Sequence, residues 1–211
     1  MKKDGILIVV SGFAGSGKGT LMKELVKRYD NYALSVSATT RNPRPGEVDG
    51  VDYFFVTKDK FEEMIAKNEL LEHAQYVSNY YGTPRKYVEQ QMQAGKDVIL
   101  EIETQGALII KEKYPETLLL FVMPPSVQEI YNRLKKRNTE TEEVIAARMK
   151  QASVEAEVME KYDFLVINDD LEECVEAMHR MIQSAHYSTI RNKEHISNVK
   201  NQFKQYMGGE K

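Results

Sequence analysis

Four short stretches of this chain are almost wholly apolar and rich in β-branched residues: Ile6 to Val10, Val98 to Ile102, Thr117 to Met123 and Phe164 to Asn168. A strand with one wet face alternates polar and apolar side chains, whereas a strand buried on both faces reads as a continuous apolar run. Around these runs the apolar residues recur at three- and four-residue spacing instead. Leu21, Met22, Leu25, Val26 and Tyr29 predict a helix from about Lys18, and further helices are expected over about Gln105 to Lys113 and Leu171 to Tyr187. Strands of this kind alternating with helices predict an α/β chain with a central parallel sheet covered on both faces.

Two stretches break the rhythm. Residues 37 to about 90 hold Pro43, Pro45, Gly46, Gly50, Gly82 and Pro84, many tyrosines and shorter strand patterns, which predicts an insertion with its own small sheet. Residues 126 to about 160 are helical and strongly charged. Ser126 with Glu129, and Thr139 with Glu142, have the spacing of a capping box, so two helices are expected to begin there. The tail from about Ser188 to Lys211 is polar and lysine-rich, and both disorder and self-association are open for it. The expected division is a core of about 1–36, 91–125 and 160–190, an insertion of about 37–90, and a helical segment of about 126–159.

A length of 211 residues suits one domain with inserted pieces. The net charge of −3 argues against a general binder of nucleic acid or membrane surfaces, which carries a basic excess. A single cysteine, Cys174, forms no intrachain disulfide and suits a reducing cytoplasm. It reads as a small apolar helix residue. The apolar run near the N-terminus ends at Ser11, too soon for the core of a signal peptide, and no stretch approaches the ~18 apolar residues of a membrane span.

The loop S-G-F-A-G-S-G-K-G-T, Ser11 to Thr20, joins the first strand to the first helix. Gly12, Gly15 and Gly17 let successive backbone N–H groups turn inward, and the helix N-terminus adds its positive end, so this context suits a phosphate. The loop residues Gly12, Ala14, Gly15, Ser16, Gly17, Lys18, Gly19 and Thr20 are the candidate ligands of a nucleoside triphosphate, with Lys18 as a point charge between the β- and γ-phosphates. Gly19 stands where a magnesium-binding hydroxyl commonly follows the lysine, and Thr20 comes one place later. Mg²⁺ is therefore expected to be held mainly by nucleotide phosphates and waters. The variant G-K-G-T occurs in nucleoside-monophosphate kinases. Farther on, Arg41 and Arg44 flank a proline near several hydroxyls, a good phosphate clamp, although paired surface arginines alone are commonly just solvated.

The stretches V-S-A-T-T-R-N-P-R-P-G-E-V-D-G-V-D-Y (Val36 to Tyr53) and E-H-A-Q-Y-V-S-N-Y-Y-G-T (Glu72 to Thr83) resemble the acceptor region of the guanylate kinase family. E-I-E-T-Q-G-A (Glu101 to Ala107), P-P-S (Pro124 to Ser126), R-N-T-E-T-E-E (Arg137 to Glu143) and N-D-D (Asn168 to Asp170) continue that resemblance in unbroken order over about residues 5 to 185. It implies a P-loop NTPase three-layer fold with an inserted GMP-binding subdomain and a helical lid. It implies phosphorylation of GMP, and of dGMP, by ATP with Mg²⁺, in purine metabolism in the cytoplasm. Arg41, Arg44, Tyr53 and Tyr81 would bind the GMP phosphate, and Ser37, Glu72, Thr83 and Glu103 would read guanine. Guanine presents two adjacent donors that one carboxylate accepts, whereas adenine presents a lone pair there. Arg133, Arg137 and Arg148 would close over the transferring group, and Asn168 would lie near adenine. Lys18, Arg41 and the three lid arginines are then the catalytic candidates. Phe13-Ala14 replaces the family's usual Pro-Ser, Glu103 stands where Asp is commoner, and Asn138 replaces a frequent Gly. Non-catalytic guanylate-kinase-like modules that bind phosphopeptides, and a kinase for another monophosphate, are the competing readings.

Overall fold

The computed structural model describes residues 4–76, 78–136 and 141–208. Strands β1 (Leu7–Gly12), β2 (Tyr32–Leu34), β7 (Asp97–Glu101), β8 (Leu118–Met123) and β9 (Phe164–Ile167) form a parallel sheet in the order β2-β7-β1-β8-β9. Four of these are the apolar runs of the sequence. The three-residue β2 is too short to show a periodicity and was not expected. Alternate side chains of β1 enter opposite cores. Leu7 and Val9 join Val98, Leu100, Leu119 and Phe121 on one face, and Ile6, Ile8 and Val10 join Ile99, Leu120 and Val122 on the other. Burying each such side chain contributes about 1.5–3 kcal/mol, so both faces must be covered.

The second face is covered by α1 (Lys18–Arg28), through Leu21, Met22 and Leu25, and by α7 (Leu171–Ala185), through Cys174, Val175, Met178 and Ile182. The first is covered by α3 (Arg85–Gln93), α4 (Thr104–Lys113), α5 (Val127–Lys136) and α6 (Glu142–Ala156), which contribute Val88, Ala107, Ile110, Ile130, Leu134, Ile145 and Ala152. The Ser126 hydroxyl accepts from the Glu129 amide at 3.1 Å and starts α5, as its spacing predicts. Thr139, the first member of the second box, lies outside the described residues. Among those described, Thr141 occupies the cap of α6. Cys174 is buried, and burial pushes its thiol up to about 11, which leaves it unreactive.

A smaller sheet, ordered β4-β3-β6-β5, lies between the first and second thirds of the core. It consists of β3 (Ala38–Thr39), β4 (Phe54–Phe55), β5 (Leu70–Tyr76) and β6 (Asn79–Pro84), with α2 (Lys58–Ala66) packed on it through the fully buried Phe61. Arg85 fastens this sheet to the core. Its guanidinium donates to the Leu70 and Asn68 carbonyls at 3.1 Å and to the Tyr114 hydroxyl at 2.6 Å, just past α4. That anchorage aims the end of β5 at the start of α4.

Beyond α7 a short 3-10 turn at Thr189–Arg191 leads to α8 (Lys193–Gly208). The tail is therefore helical over most of its described length.

Candidate active site

The loop between β1 and α1 turns on glycines that an L side chain could not replace freely. Gly12, Gly15 and Gly17 have φ of +152°, +81° and +87°. A Cβ on Gly12 would lie 2.0 Å from the Val122 carbonyl oxygen, and one on Gly17 would lie 2.5 Å from Asn168 Nδ2. Gly19 is different, because a Cβ there meets nothing within 4 Å. Lys18 Nζ donates to the Gly12 and Phe13 carbonyls at 2.6 and 3.1 Å, so the ammonium lies over its own loop. Phe13 does not point into this loop. It is buried edge-on to Phe121, with centroids 4.9 Å apart. The departure from Pro-Ser is thus a core substitution. The Ser16 hydroxyl is buried with no partner among the described residues, which leaves a hydroxyl unspent inside the anion-binding turn.

Asn168, at the end of β9, is buried and donates from Nδ2 to the Ser16 carbonyl at 2.8 Å. Its own carbonyl accepts from Arg133 at 3.0 Å. In this arrangement Asn168 braces the loop and links it to α5. Arg133 also holds Glu129 one turn back at 2.7 Å. Arg148 lies on α6, half-buried. Arg137 and Asn138 lie outside the described residues.

The acceptor residues converge on the small sheet. Arg41 makes a two-pronged bond to Glu47 at 2.8 and 2.9 Å, and the Arg44 amide donates to the same carboxylate at 2.6 Å. The Arg41 guanidinium lies 5.3 Å from the Tyr53 ring, and Tyr53 meets Tyr81 edge-on at 6.1 Å. The Glu47 bond, seconded by Tyr81, raises the Arg41 pKa, and the same bond lowers that of Glu47. The fork is thus already shaped around an anion's oxygens. The Arg44 side chain is exposed. Sequence reasoning passed over Glu47, although its place three residues after Arg44 was the available signal.

Glu72 on β5 is buried, and its Oε1 accepts from the Thr83 hydroxyl on β6 at 2.7 Å. Burial raises its pKa, against the Thr83 bonds and Lys113, which lower it. A Cβ on Gly106 would lie 3.1 Å from Glu72 Oε2. A glycine inside a helix costs about 0.5–1 kcal/mol, and here it lets the carboxylate approach the start of α4. Glu103 occupies the cap of that helix with its side chain exposed. The Ser37 carbonyl accepts from the Phe54 amide at 2.9 Å and holds β3 to β4.

Glu101, at the end of β7, joins the two halves. It is register partner to Val10 at the entry of the phosphate loop. Desolvation raises its pKa, the charge of Lys18 lowers it, and its own charge acts on Tyr53 across the cleft. Glu155 on α6 is buried, and its carboxyl is raised by burial and by Glu103. The triphosphate loop and the acceptor cluster therefore face one cleft lined by acids and by Lys18. Sequence analysis did not single out Glu101 or Glu155. The tertiary pairing of β7 with β1 brings Glu101 in, and the packing of α6 brings Glu155.

A parallel sheet with a glycine loop and lysine at one strand end, facing an arginine–tyrosine clamp on an inserted sheet, defines a P-loop protein for two phosphorylated ligands. Comparison with known proteins narrows the class. The sequence profile described as "Guanylate kinase" matches residues 4–185. The guanylate kinase of Halalkalibacterium halodurans is 54% identical over 185 residues, 88% of this chain and 91% of that one. That of Bacillus subtilis (strain 168) is 51% identical over 192 residues, 90% and 94% of the two chains. The crystal structure of guanylate kinase from Anaplasma phagocytophilum superposes with a TM-score of 0.73 at 33% identity, covering 90% of each chain. The chain belongs to the guanylate kinase family.

Proposed function

We propose that this protein transfers the γ-phosphoryl group of ATP to GMP, and to dGMP, giving ADP and the corresponding diphosphate by direct in-line displacement, in cytoplasmic purine metabolism. The observation that carries the reading is the buried Glu72–Thr83 pair set beside the Arg41–Tyr53–Tyr81 cluster. A base edge with two donors satisfies Glu72, and a phosphate satisfies the arginine fork. An acceptor with a lone pair in place of a donor leaves a buried carboxylate unpaired, which a site of this kind rejects by about 10⁴-fold or more.

The acceptor is already a phosphate oxyanion, so no general base is needed. A GMP phosphate oxygen forms the new bond to Pγ, the bond from Pγ to the β–γ bridging oxygen breaks, and ADP keeps that electron pair. The obstacle is the approach of several negative charges, and the protein's task is positioning and positive charge. The loop amides and Lys18 hold the triphosphate. Arg41, Arg44, Tyr53 and Tyr81 hold the acceptor phosphate, with Glu47 as the group that shapes the fork before it arrives. Ser37 and Glu103 complete the base contacts with Glu72 and Thr83. Arg133, Arg137 and Arg148 close from the lid and exclude water. Asn168 steadies the loop beside the adenine end.

Among the described residues no cluster of three or more His, Cys, Asp or Glu side chains could hold a metal ion. The unspent Ser16 hydroxyl and the Glu101 carboxylate beside Lys18 suit a hydrated Mg²⁺ carried chiefly by the nucleotide, with Glu101 accepting from its waters. The ion supplies charge neutralisation between the β- and γ-phosphates.

The test is ADP release with ATP and Mg²⁺ against GMP, dGMP, AMP, CMP and UMP in turn, beside Lys18→Ala. Release with the guanine nucleotides only, slowed roughly 10²–10³-fold by the substitution, is the expected result. A folded protein silent with every acceptor would overturn the reading and favour a phosphopeptide-binding module.

A further inference from the structure

Two apolar surfaces of this chain lack a cover. One is α8, which lies beyond the family match ending at residue 185. Every described side chain of α8 is exposed, except Ile196, which is half-exposed. Yet Ile196, Val199, Phe203, Tyr206 and Met207 recur at three- and four-residue spacing and form one stripe. Phe203, Tyr206 and Met207 are 66%, 74% and 68% exposed. A lone helix of this length is marginal in water, and its stability comes from burying such a stripe.

The other surface is the outer edge of the main sheet. β9 is the edge strand, and Phe164, Leu165 and Ile167 on it are 40%, 47% and 57% exposed. An open apolar edge of this kind is a pairing liability unless something covers it. Between β9 and α7 runs a groove of about 250 Å³. Val166, Ile167, Cys174, Ala177 and Met181 supply its apolar lining, and Asp169, Asp170 and Glu173 place three acids on it against the single base Arg180.

We propose that α8 of one copy seats in the β9–α7 groove of a second copy, and reciprocally, to form a two-fold dimer. Three observations point to this occupant. Charge matches, because α8 carries three lysines, Lys193, Lys200 and Lys204, against Glu194 alone, while the groove is acidic. Length matches, because Ile196 to Met207 on α8 and Asp170 to Met181 on α7 each span about 16 Å at 1.5 Å per residue. Finally, the helix and the groove are both open within one chain, so the chain does not fill its own groove. A reciprocal seating closes both surfaces at once with point symmetry, as isologous dimers do.

Size-exclusion chromatography with light scattering, on the full chain, tests this. The expected mass is twice the 24.3 kDa of the chain. Phe203→Glu with Tyr206→Glu is expected to give the monomer mass. Reversing the groove (Asp169→Lys, Glu173→Lys) or the helix (Lys200→Glu, Lys204→Glu) is expected to give monomer in each case. Combining the two reversals restores the dimer. Circular dichroism and thermal unfolding establish that each variant is folded. A monomeric wild type would overturn the proposal, including one whose α8 binds phosphatidylglycerol vesicles instead. So would a dimer that survives reversal of the groove, which would assign the seam to α8 against α8.

Discussion

Glu72 and Thr83 are eleven residues apart on neighbouring strands, and the hydrogen bond between them shows what a binding residue costs its own fold. The Glu72 carboxyl is buried, and burial raises its pKa. Its charged form is disfavoured in the folded state, so its contribution to stability is fully present below its unfolded pKa and is lost as pH rises through the raised folded value. At neutral pH the carboxylate therefore destabilises the ligand-free protein. Glu72→Gln keeps an acceptor for Thr83 and removes the charge. The expected outcome is a higher Tm for the free protein at neutral pH, with GMP binding weakened about 10- to 100-fold, as for loss of a charge-assisted bond. Differential scanning calorimetry and GMP titration check the two halves, and a lowered Tm with unchanged GMP affinity would sink the assignment. The sequence placed Glu72 by resemblance to a family motif, but nothing local showed that it would be buried. Gly106, the residue that admits it, sits thirty-four positions later in the chain.

At the scale of elements, helices with strong periodicity were legible and short or context-dependent ones were not. α1, α4 and α7 stand within two residues of their expected positions, because each buries one stripe and carries its own boundary signals. β2 escaped notice because three residues carry no period. α8 has a stripe, but its composition is that of a solvated tail, and only its backbone geometry shows a helix. The link from α5 to the phosphate loop is also tertiary. Arg133 reaches the Asn168 carbonyl, and Asn168 reaches the Ser16 carbonyl, across 35 and 152 positions of sequence. If Arg133 carries charge to the transferring group as well as bracing the loop, Arg133→Ala should lower kcat roughly 10²-fold or more while the KM for GMP stays nearly constant. Steady-state kinetics with GMP varied separates the two parameters. An effect confined to the KM for GMP would assign Arg133 to acceptor binding instead.

At the scale of the whole molecule, the end of the sheet away from the loop holds a second polar network with a different pH response. His179 on α7 stacks on Tyr29 with centroids 3.7 Å apart, and its Nδ1 lies 2.7 Å from the Tyr32 hydroxyl. Burial lowers its pKa from the ordinary 6.5, against Asp97, which pulls the other way. A histidine lowered in the folded state binds its proton more readily when unfolded. Its contribution is complete above pH 6.5 and is lost as pH falls through that value toward the lowered one. His179→Phe keeps a ring for Tyr29 without the titration. The wild type is expected to lose more stability than this variant between about pH 8 and about pH 5, as read by urea unfolding. Equal losses would show that the ring titrates alike in both states.

By itself the sequence determined the local arithmetic of this protein. Apolar runs with no polar alternation must be buried on both faces, so they made a parallel sheet between two helical layers. Glycines before a lysine at a strand end made an anion-binding turn. Such features depend on neighbours a few residues away, and periodicity carries them. Only the tertiary structure decided which distant groups share one environment. It set Glu47 in the fork of Arg41, Asn168 beneath the phosphate loop, and Glu101 and Glu155 at a cleft with Lys18. Those placements follow from burial and Coulomb interaction, which depend on distance through space, and distance through space is set by the packing of the whole chain.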